Sequence, residues 1–326
     1  MRRIQFMKKL VSCLFIVLLI IGCKSLDSHL DTQVVPQTSF FTQEINLAIP
    51  VENRMQNASV NVISWLNSID SADNYNSYLL TEEEKSLFID YLQLLPEKYK
   101  QTMGEKVIAI FFIENFKGGG MTFSAFDKDG NIYIILFFNP EILHRPISDW
   151  INYRDNSYFN EDTQDIKITA ECSGNYFALL HTLIHEASHV YDCYYHITPF
   201  MEPCLKNKNS AANTDFTKMV WRDYNSPITE YDFPYRNELY SYGLGPAQSN
   251  YLAFDIYKSL ANTPFPTLYG SKNWAEDFAE SFTWFYLGEK LNCHYRVSIN
   301  ETFVYEPFLN KLFTDRFSRF KEIMEN

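Results

Sequence analysis

The residues best suited to chemistry stand together as His185-Glu186-Ala187-Ser188-His189. The surrounding stretch 176–195 contains good helix formers and neither proline nor glycine, so we predict a helix there. With ~3.6 residues per turn, His185 and His189 then lie one turn apart on the same helix face. Two imidazoles so placed can bind one Zn²⁺, with Glu186 beside them as a base that activates water.

A catalytic zinc ion needs a third protein ligand and one open position, so another element must contribute. From Trp274 onward the sequence predicts an amphipathic helix with Glu276 and Glu280 one turn apart. We predict that Glu276 completes the zinc site and that Glu280 accepts the other ring N–H of a ligand histidine. His181, one turn before His185, is too far along the helix to bind the same ion, so we interpret it as a neighbouring core residue.

These two stretches carry a resemblance to a known family. Residues 184–192 and 269–282 together resemble the catalytic domain of anthrax lethal factor and the related Pro-Pro endopeptidases, which are gluzincin zinc proteases. The pattern Tyr-Gly-x-x-Asn-x-Ala-Glu-x-Phe-Ala-Glu-x-Phe is intact here, starting at Tyr269. The region between the two stretches is longer here than in lethal factor, so the resemblance does not extend to substrate preference.

The resemblance implies a role for each matching residue. His185, His189 and Glu276 would be the zinc ligands, and Glu186 the general base. Tyr269 would place a phenol beside the scissile carbonyl, while Asp192 and Glu280 would support the ligands from behind. Three of these residues have a structural alternative: Glu280 and Asp192 as solvated acids on helix surfaces, and Tyr269 as one packed aromatic among many.

The N-terminal stretch predicts export and a lipid anchor. Four basic residues precede the apolar run 10–21, which is too short to remain as a membrane-spanning helix. The tail Ile20-Ile21-Gly22-Cys23 resembles a bacterial lipobox, which implies a signal peptide over 1–22, lipidation such as palmitate at Cys23, and a polar tether over 23–40. An ordinary secretory signal or an N-terminal anchor is the alternative. We therefore expect a lipid-anchored protein of the bacterial cell envelope, on the outer membrane or the cell surface.

Composition restricts the partners and the redox chemistry. The formal net charge of −12 argues against a nucleic-acid partner. An oxidising compartment permits disulfides among Cys172, Cys193, Cys204 and Cys293. Three pairings are allowed and the sequence does not choose among them, and buried free thiols are the alternative.

The remaining patterns predict an α+β fold. We expect a helical N-terminal region over 41–105, including a helical pattern over 43–69 and a capped helix from Thr81 that Pro96 ends. A zincin-like metallopeptidase domain over 106–326 would contain a small sheet, the HExxH helix and the glutamate-bearing helix. The sequence further predicts strands at 107–113, 121–126 and 132–138, with a hairpin turn at 127–131 between the last two. It also predicts a flexible connection at 118–120 and helices near 235–242 and 248–260.

Taken together, the sequence predicts an envelope-anchored zinc endopeptidase that acts on protein or peptide substrates. The alternative is a non-catalytic lipoprotein, a binding or adhesion module that keeps a structural zinc site. The enzyme is favoured because holding a metal requires neither Glu186 nor Tyr269, whereas catalysis requires a base and an oxyanion donor.

Overall fold

The computed structural model describes residues 36–199 and 213–325. The predicted signal peptide, the lipidation site Cys23, residues 23–35 of the predicted tether and Cys204 lie outside the described residues. Within residues 36–199 and 213–325, no helix combines the length and the apolar character that a membrane span requires.

Helices and strands are mixed along the chain, which confirms the α+β class. The helices are α1 (Thr38–Phe41), α2 (Val60–Asp70), α3 (Glu82–Gln93), α4 (Glu97–Lys106), α5 (Ile147–Asn156), α6 (Ala178–Tyr195), α7 (Ala253–Leu260), α8 (Trp274–Leu291), α9 (Lys311–Thr314) and α10 (Phe317–Glu325). The strands are β1 (Asn76–Tyr78), β2 (Val107–Glu114), β3 (Gly120–Phe126), β4 (Ile132–Phe138), β5 (Phe159–Asn160), β6 (Ile168–Cys172), β7 (Trp221–Asp223), β8 (Ser226–Pro227), β9 (Gln248–Ser249), β10 (Tyr295–Ile299) and β11 (Phe303–Tyr305).

The main sheet has the strand order β1-β2-β4-β3. Strands β2 and β4 run parallel, and β3 pairs antiparallel with β4 through the predicted hairpin. The Asp127 carboxylate closes this turn by accepting the backbone N–H groups of Asp129 and Asn131. Strand β2 is buried along most of its length, as its run of β-branched and aromatic residues predicts. Strand β3 is left at the edge of the sheet.

The N-terminal helices follow their capping signals. The Thr81 hydroxyl accepts the Glu84 N–H and the Glu84 carboxylate accepts the Thr81 N–H, so the predicted capping box begins α3. The predicted helical pattern over 43–69 is only partly correct, because Ser59 caps a helix that starts at Val60. Residues 43–59 contain only a 3₁₀ turn at Val51–Asn53.

The predicted helix near 235–242 is wrong. Only Arg236–Glu238 form a 3₁₀ turn, between Tyr235 and Tyr242, whose φ angles are +66° and +57°. A left-handed residue at each end interrupts an α-helix, because successive N–H groups no longer point along one axis. In the next predicted segment, over 248–260, only Ala253–Leu260 is α-helical.

A second small sheet was not predicted from the sequence. Strands β6, β10 and β11 pair antiparallel in the order β11-β10-β6. At its end, Cys172 and Cys293 form a disulfide with Cα atoms 6.1 Å apart. This bridge joins the last residue of β6, just before α6, to the second residue after α8. It therefore brackets the two helices that carry the predicted ligands. Cys193 is half-buried near the end of α6.

Helix α6 lies at the centre of the described fold. It packs against α8, α4 and strand β3, and nearly all of its residues from Ala178 to Asp192 are buried. A helix that is enclosed on several sides has a fixed position and rotation. Its histidines are therefore held rigidly relative to both the edge strand and α8.

Candidate metal centre

Helices α6 and α8 bring the three predicted ligands together. His185 and His189 project from one face of α6 with their Nε2 atoms 3.2 Å apart. The Glu276 Oε2 atom lies 3.2 Å from the His185 Nε2 and 3.5 Å from the His189 Nε2. Among the described residues this trio is the group of histidine, cysteine and acidic side chains arranged to hold a metal ion.

The spacing of these atoms fits a tetrahedral ion. For ligands ~2.0–2.1 Å from zinc, two corners of a tetrahedron are ~3.3–3.4 Å apart. The three measured separations lie within about 0.2 Å of that value. The Glu276 Oε2 atom is also buried with no hydrogen-bond partner in the described residues. An unpartnered buried carboxylate oxygen facing two imidazole nitrogens is what a cation site requires.

Charge keeps the third ligand ionised. Burial opposes ionisation of Glu276, but His189 and His185 outweigh it and hold the pKa of this carboxyl well below its usual range. Burial likewise disfavours the cationic form of His185, but Glu276 and Glu280 outweigh it and raise the pKa of His185 to about 10. Binding of a cation therefore competes with a proton on His185.

The Asn273 side chain caps α8 and so determines that the helix begins at Trp274. Its Oδ1 accepts the backbone N–H groups of Ala275 and Glu276, which caps the helix one turn before the site. Glu276 thus lies in the first turn, and Glu280 lies one turn later on the same face. The predicted spacing between the two carboxylates is present in the helix.

Glu280 contacts a predicted ligand directly. Its Oε1 atom lies 3.1 Å from the His185 Nδ1. The side chain is fully buried, so the alternative of a solvated surface acid does not describe it. Burial opposes ionisation of Glu280, but Arg154 and His185 outweigh it and hold its pKa well below the usual range.

Glu186 is held on the side of α6 that faces the edge strand. The Thr122 hydroxyl of β3 donates a 2.7 Å hydrogen bond to the Glu186 Oε2. A Cβ atom on Gly120 would lie 2.8 Å from the Glu186 Oε1, so only glycine fits at that point of β3. Burial raises the pKa of Glu186, although His185 and His189 oppose the rise. A raised carboxyl pKa suits a group that must both accept and return a proton near neutral pH.

Tyr269 lines the same cavity as Glu186 and His185. Its ring centroid is 5.8 Å from that of His185, and the Lys272 ammonium lies 4.9 Å from the Tyr269 ring centroid. Burial is the main cause that raises the pKa of Tyr269 well above its usual value, and the negative charge of Glu276 adds to the rise. The phenol is therefore a hydrogen-bond donor at neutral pH.

The cavity has a volume of about 170 Å³ and runs along the glycine strip 118–120. His185, Glu186 and Tyr269 line it. The sequence predicts a flexible connection over this strip, and two of its glycines, Gly119 and Gly120, also have a steric role. A Cβ atom on Gly119 would lie 2.8 Å from the Thr182 hydroxyl, so the strand can approach α6 only because these residues lack side chains.

Among the hydrogen bonds and ion pairs of the described residues, Asp192 and His181 of α6 form none with the three atoms that face the ion site. Asp192 accepts hydrogen bonds from the Thr198 backbone N–H and hydroxyl, both at 2.6 Å, and burial raises its pKa to about 6. The structure gives it a role in closing the end of α6. His181 is buried in the cavity wall, 3.6 Å from Glu280 and outside the metal-binding trio. Burial lowers its pKa to about 3, so it is neutral.

Sequence reasoning missed two residues that act on this site. Thr122 contacts Glu186, and Arg154 of α5 donates to Glu280 across 126 positions of sequence. Neither residue belongs to a motif, and their distance along the chain hides the contact. For Thr122 there was a partial signal, because a predicted strand beside the predicted metal-binding helix must present some of its side chains to that helix.

Comparison with known proteins adds no family. The chain matches no protein-family model, no curated protein and no solved structure. The site is therefore defined by its own geometry.

Proposed function

We propose that this protein is a zinc-dependent endopeptidase with a zincin-like fold of the gluzincin type. The observation that carries the proposal is the convergence of two imidazoles and a carboxylate from two distant helices, with the Glu186 carboxylate and the Tyr269 phenol lining the cavity that His185 also lines. A site that only held a metal would need neither Glu186 nor Tyr269. His185, His189 and Glu276 would hold one zinc ion.

The substrate is proposed to be an extended peptide that pairs with strand β3. This strand is an edge of the sheet, and its one further bridge within the described residues, between Gln37 and Phe126, lies at the end away from the glycine strip. Exposed backbone N–H and C=O groups at a sheet edge can bind a peptide as an added strand. A peptide bound there passes beside Glu186, because Thr122 of the same strand contacts that side chain.

Proton transfer is assigned to Glu186. When bound, zinc supplies Lewis acidity, which makes water at the site more acidic and polarises a carbonyl. The Glu186 carboxylate takes the proton from the attacking water and later delivers it to the leaving amine. The Tyr269 hydroxyl donates a hydrogen bond to the oxygen that becomes negative, and such a donor contributes ~10²–10³ in turnover.

The proposal includes anchoring at the bacterial cell envelope through lipid on Cys23, with a protein or peptide as the partner. It is supported by the basic and apolar N-terminal run and by the lipobox-like tail. Metabolic labelling with an alkyne fatty acid tests it, since a Cys23→Ser variant should lose the label. A label that persists on that variant would contradict anchoring at this cysteine.

The hydrolytic proposal is tested by cleavage of a peptide library. We expect the purified protein to cleave, a chelator to abolish cleavage and added zinc to restore it. A Glu186→Gln variant should bind zinc as the parent does but lose ~10²–10⁴ in kcat, since only the proton carrier is removed. A parent that binds zinc and cleaves no peptide would instead support a binding or adhesion module.

A further inference from the structure

The carboxylate behind His185 has an unusual set of donors. The Glu280 Oε2 atom accepts hydrogen bonds from the Arg154 Nη1 at 3.0 Å, the Thr267 hydroxyl at 2.6 Å and the Trp284 Nε1 at 3.2 Å. A guanidinium and an indole N–H can only donate. Oε2 is therefore committed as an acceptor, and only Oε1 remains for His185.

This commitment fixes the tautomer of His185. An ionised carboxylate has no proton to donate, so the His185 Nδ1 must carry the hydrogen in the 3.1 Å contact with Oε1. When a cation replaces the other ring proton, the lone pair of the neutral ring is then on Nε2, the atom that faces Glu276 and His189. The orientation of Glu280 thus determines which nitrogen of His185 points at the ion.

Arg154 is the charged member of this donor set, and it is itself held in place. Its side chain is 1% exposed, and its Nε donates a 3.0 Å hydrogen bond to Asp155. The other oxygen of Asp155 accepts the hydroxyls of Tyr257 and Tyr295. A buried carboxylate requires a buried cation to balance it. Because the guanidinium donates to Asp155 on one side and to Glu280 on the other, its orientation is fixed.

We propose that Arg154 is a positioning residue for the metal centre, which fixes the Glu280 carboxylate and through it directs the His185 Nε2 toward the ion. The inference rests on the proposed zinc site. It adds a third helix, α5, to the two that carry ligands. It does not require the chain to be a peptidase.

The test is the zinc affinity of the full chain, measured without substrate by competition with a chromophoric chelator at pH 7. Loss of a group that orients a metal ligand typically weakens binding ~10–100-fold, and we expect that loss for Arg154→Met. Arg154→Lys should recover part of the affinity, because an ammonium restores the charge but not the two-sided grip. Cobalt-loaded protein provides a second readout, since Arg154→Met should change its visible absorption band.

The matched control is Arg316→Met. Arg316 also pairs with a buried carboxylate of α8, donating to both oxygens of Asp277 at 2.8 and 2.9 Å, but it does not contact the ligands. We expect this variant to lose stability and keep the zinc affinity of the parent. A gentler variant, Thr267→Val, removes one neutral donor from Glu280 and should weaken zinc binding severalfold, even if Arg154→Met does not fold.

The outcomes separate this inference from the proposed function. A folded Arg154→Met variant with the zinc affinity and cobalt spectrum of the parent would overturn the inference, whether or not the parent cleaves peptides. If Arg154→Met does not fold, unchanged zinc affinity in both Arg154→Lys and Thr267→Val would overturn it equally. If the parent binds zinc but cleaves no peptide, the peptidase proposal is refuted and the inference about Arg154 is not.

Discussion

The hydrogen bond between Thr122 and Glu186 gives the sharpest prediction about the proposed peptidase activity. Valine in place of Thr122 keeps the shape and the β-branched character that suit strand β3, and removes only the hydroxyl that donates at 2.7 Å to the Glu186 Oε2. Hydrogen bonds to charged groups contribute ~1.5–3 kcal/mol. With 1.36 kcal/mol per factor of ten, we expect Thr122→Val to lower kcat/KM about 10- to 150-fold.

The pH profile gives this prediction a direction as well as a size. The Thr122 hydrogen bond lowers the pKa of Glu186, while burial, the largest influence, raises it. Without the hydroxyl the pKa of Glu186 should rise further. Because Glu186 must be ionised to accept a proton, activity on the acidic side should then be lost at a higher pH than in the parent.

The assay is peptide cleavage between pH 5 and 9, together with zinc affinity. Ser124→Ala is the control, since Ser124 lies two residues along the same face of β3. Zinc affinity should be unchanged in both variants. If Thr122→Val keeps the kcat/KM and the acidic limb of the parent, the hydroxyl does not hold the base, and the assignment of Glu186 loses its structural support.

Two predictions concern stability. Replacing Cys172 and Cys293 by serine should lower the free energy of unfolding by ~2–5 kcal/mol, because the bridge closes a separation of 121 residues. Thermal melts with and without reductant check this prediction. Equal melting temperatures for the parent and the variant would contradict it. At Glu84, burial opposes ionisation, but hydrogen bonds from the Thr81 N–H and from His144 outweigh it and lower the pKa. The ionised carboxylate therefore stabilises the fold above its unfolded pKa of ~4.3, and this contribution is lost as the pH falls through the lower folded value. Urea midpoints between pH 2 and 6 should accordingly depend less on pH in Glu84→Gln than in the parent, and parallel curves would refute the linkage.

Elements with strong local signals were predictable from the sequence. Helix α6, the capped helix α3 and the hairpin of β3 and β4 appear close to their predicted positions. In each case a few neighbouring residues suffice: an uninterrupted run of helix formers, a reciprocal Thr81 and Glu84 pair, or an Asp127 turn. Local backbone energetics and periodicity decide these elements.

Elements whose stability comes from distant contacts were missed. Strands β6 and β10 pair across more than a hundred positions, and no pattern in either strand names its partner. The stretch near 235–242 has helix-compatible residues, but left-handed backbone at Tyr235 and Tyr242 interrupts it. Tyr242 packs against Trp150 and Tyr153 while its backbone is left-handed, a conformation that is unfavourable for a residue other than glycine.

The sequence alone determined which residues could form a metal site, because residues four apart on a helix share a face, which places His185 with His189 and Glu276 with Glu280 whatever the rest of the chain does. Only the tertiary structure decided that the two pairs meet, with three ligand atoms within 3.5 Å of one another. It also supplied the groups that orient them, since Thr122 comes from an edge strand and Arg154 from a third helix. Spacing along one helix is a local property of the backbone, whereas the approach of separate elements depends on how the whole core packs.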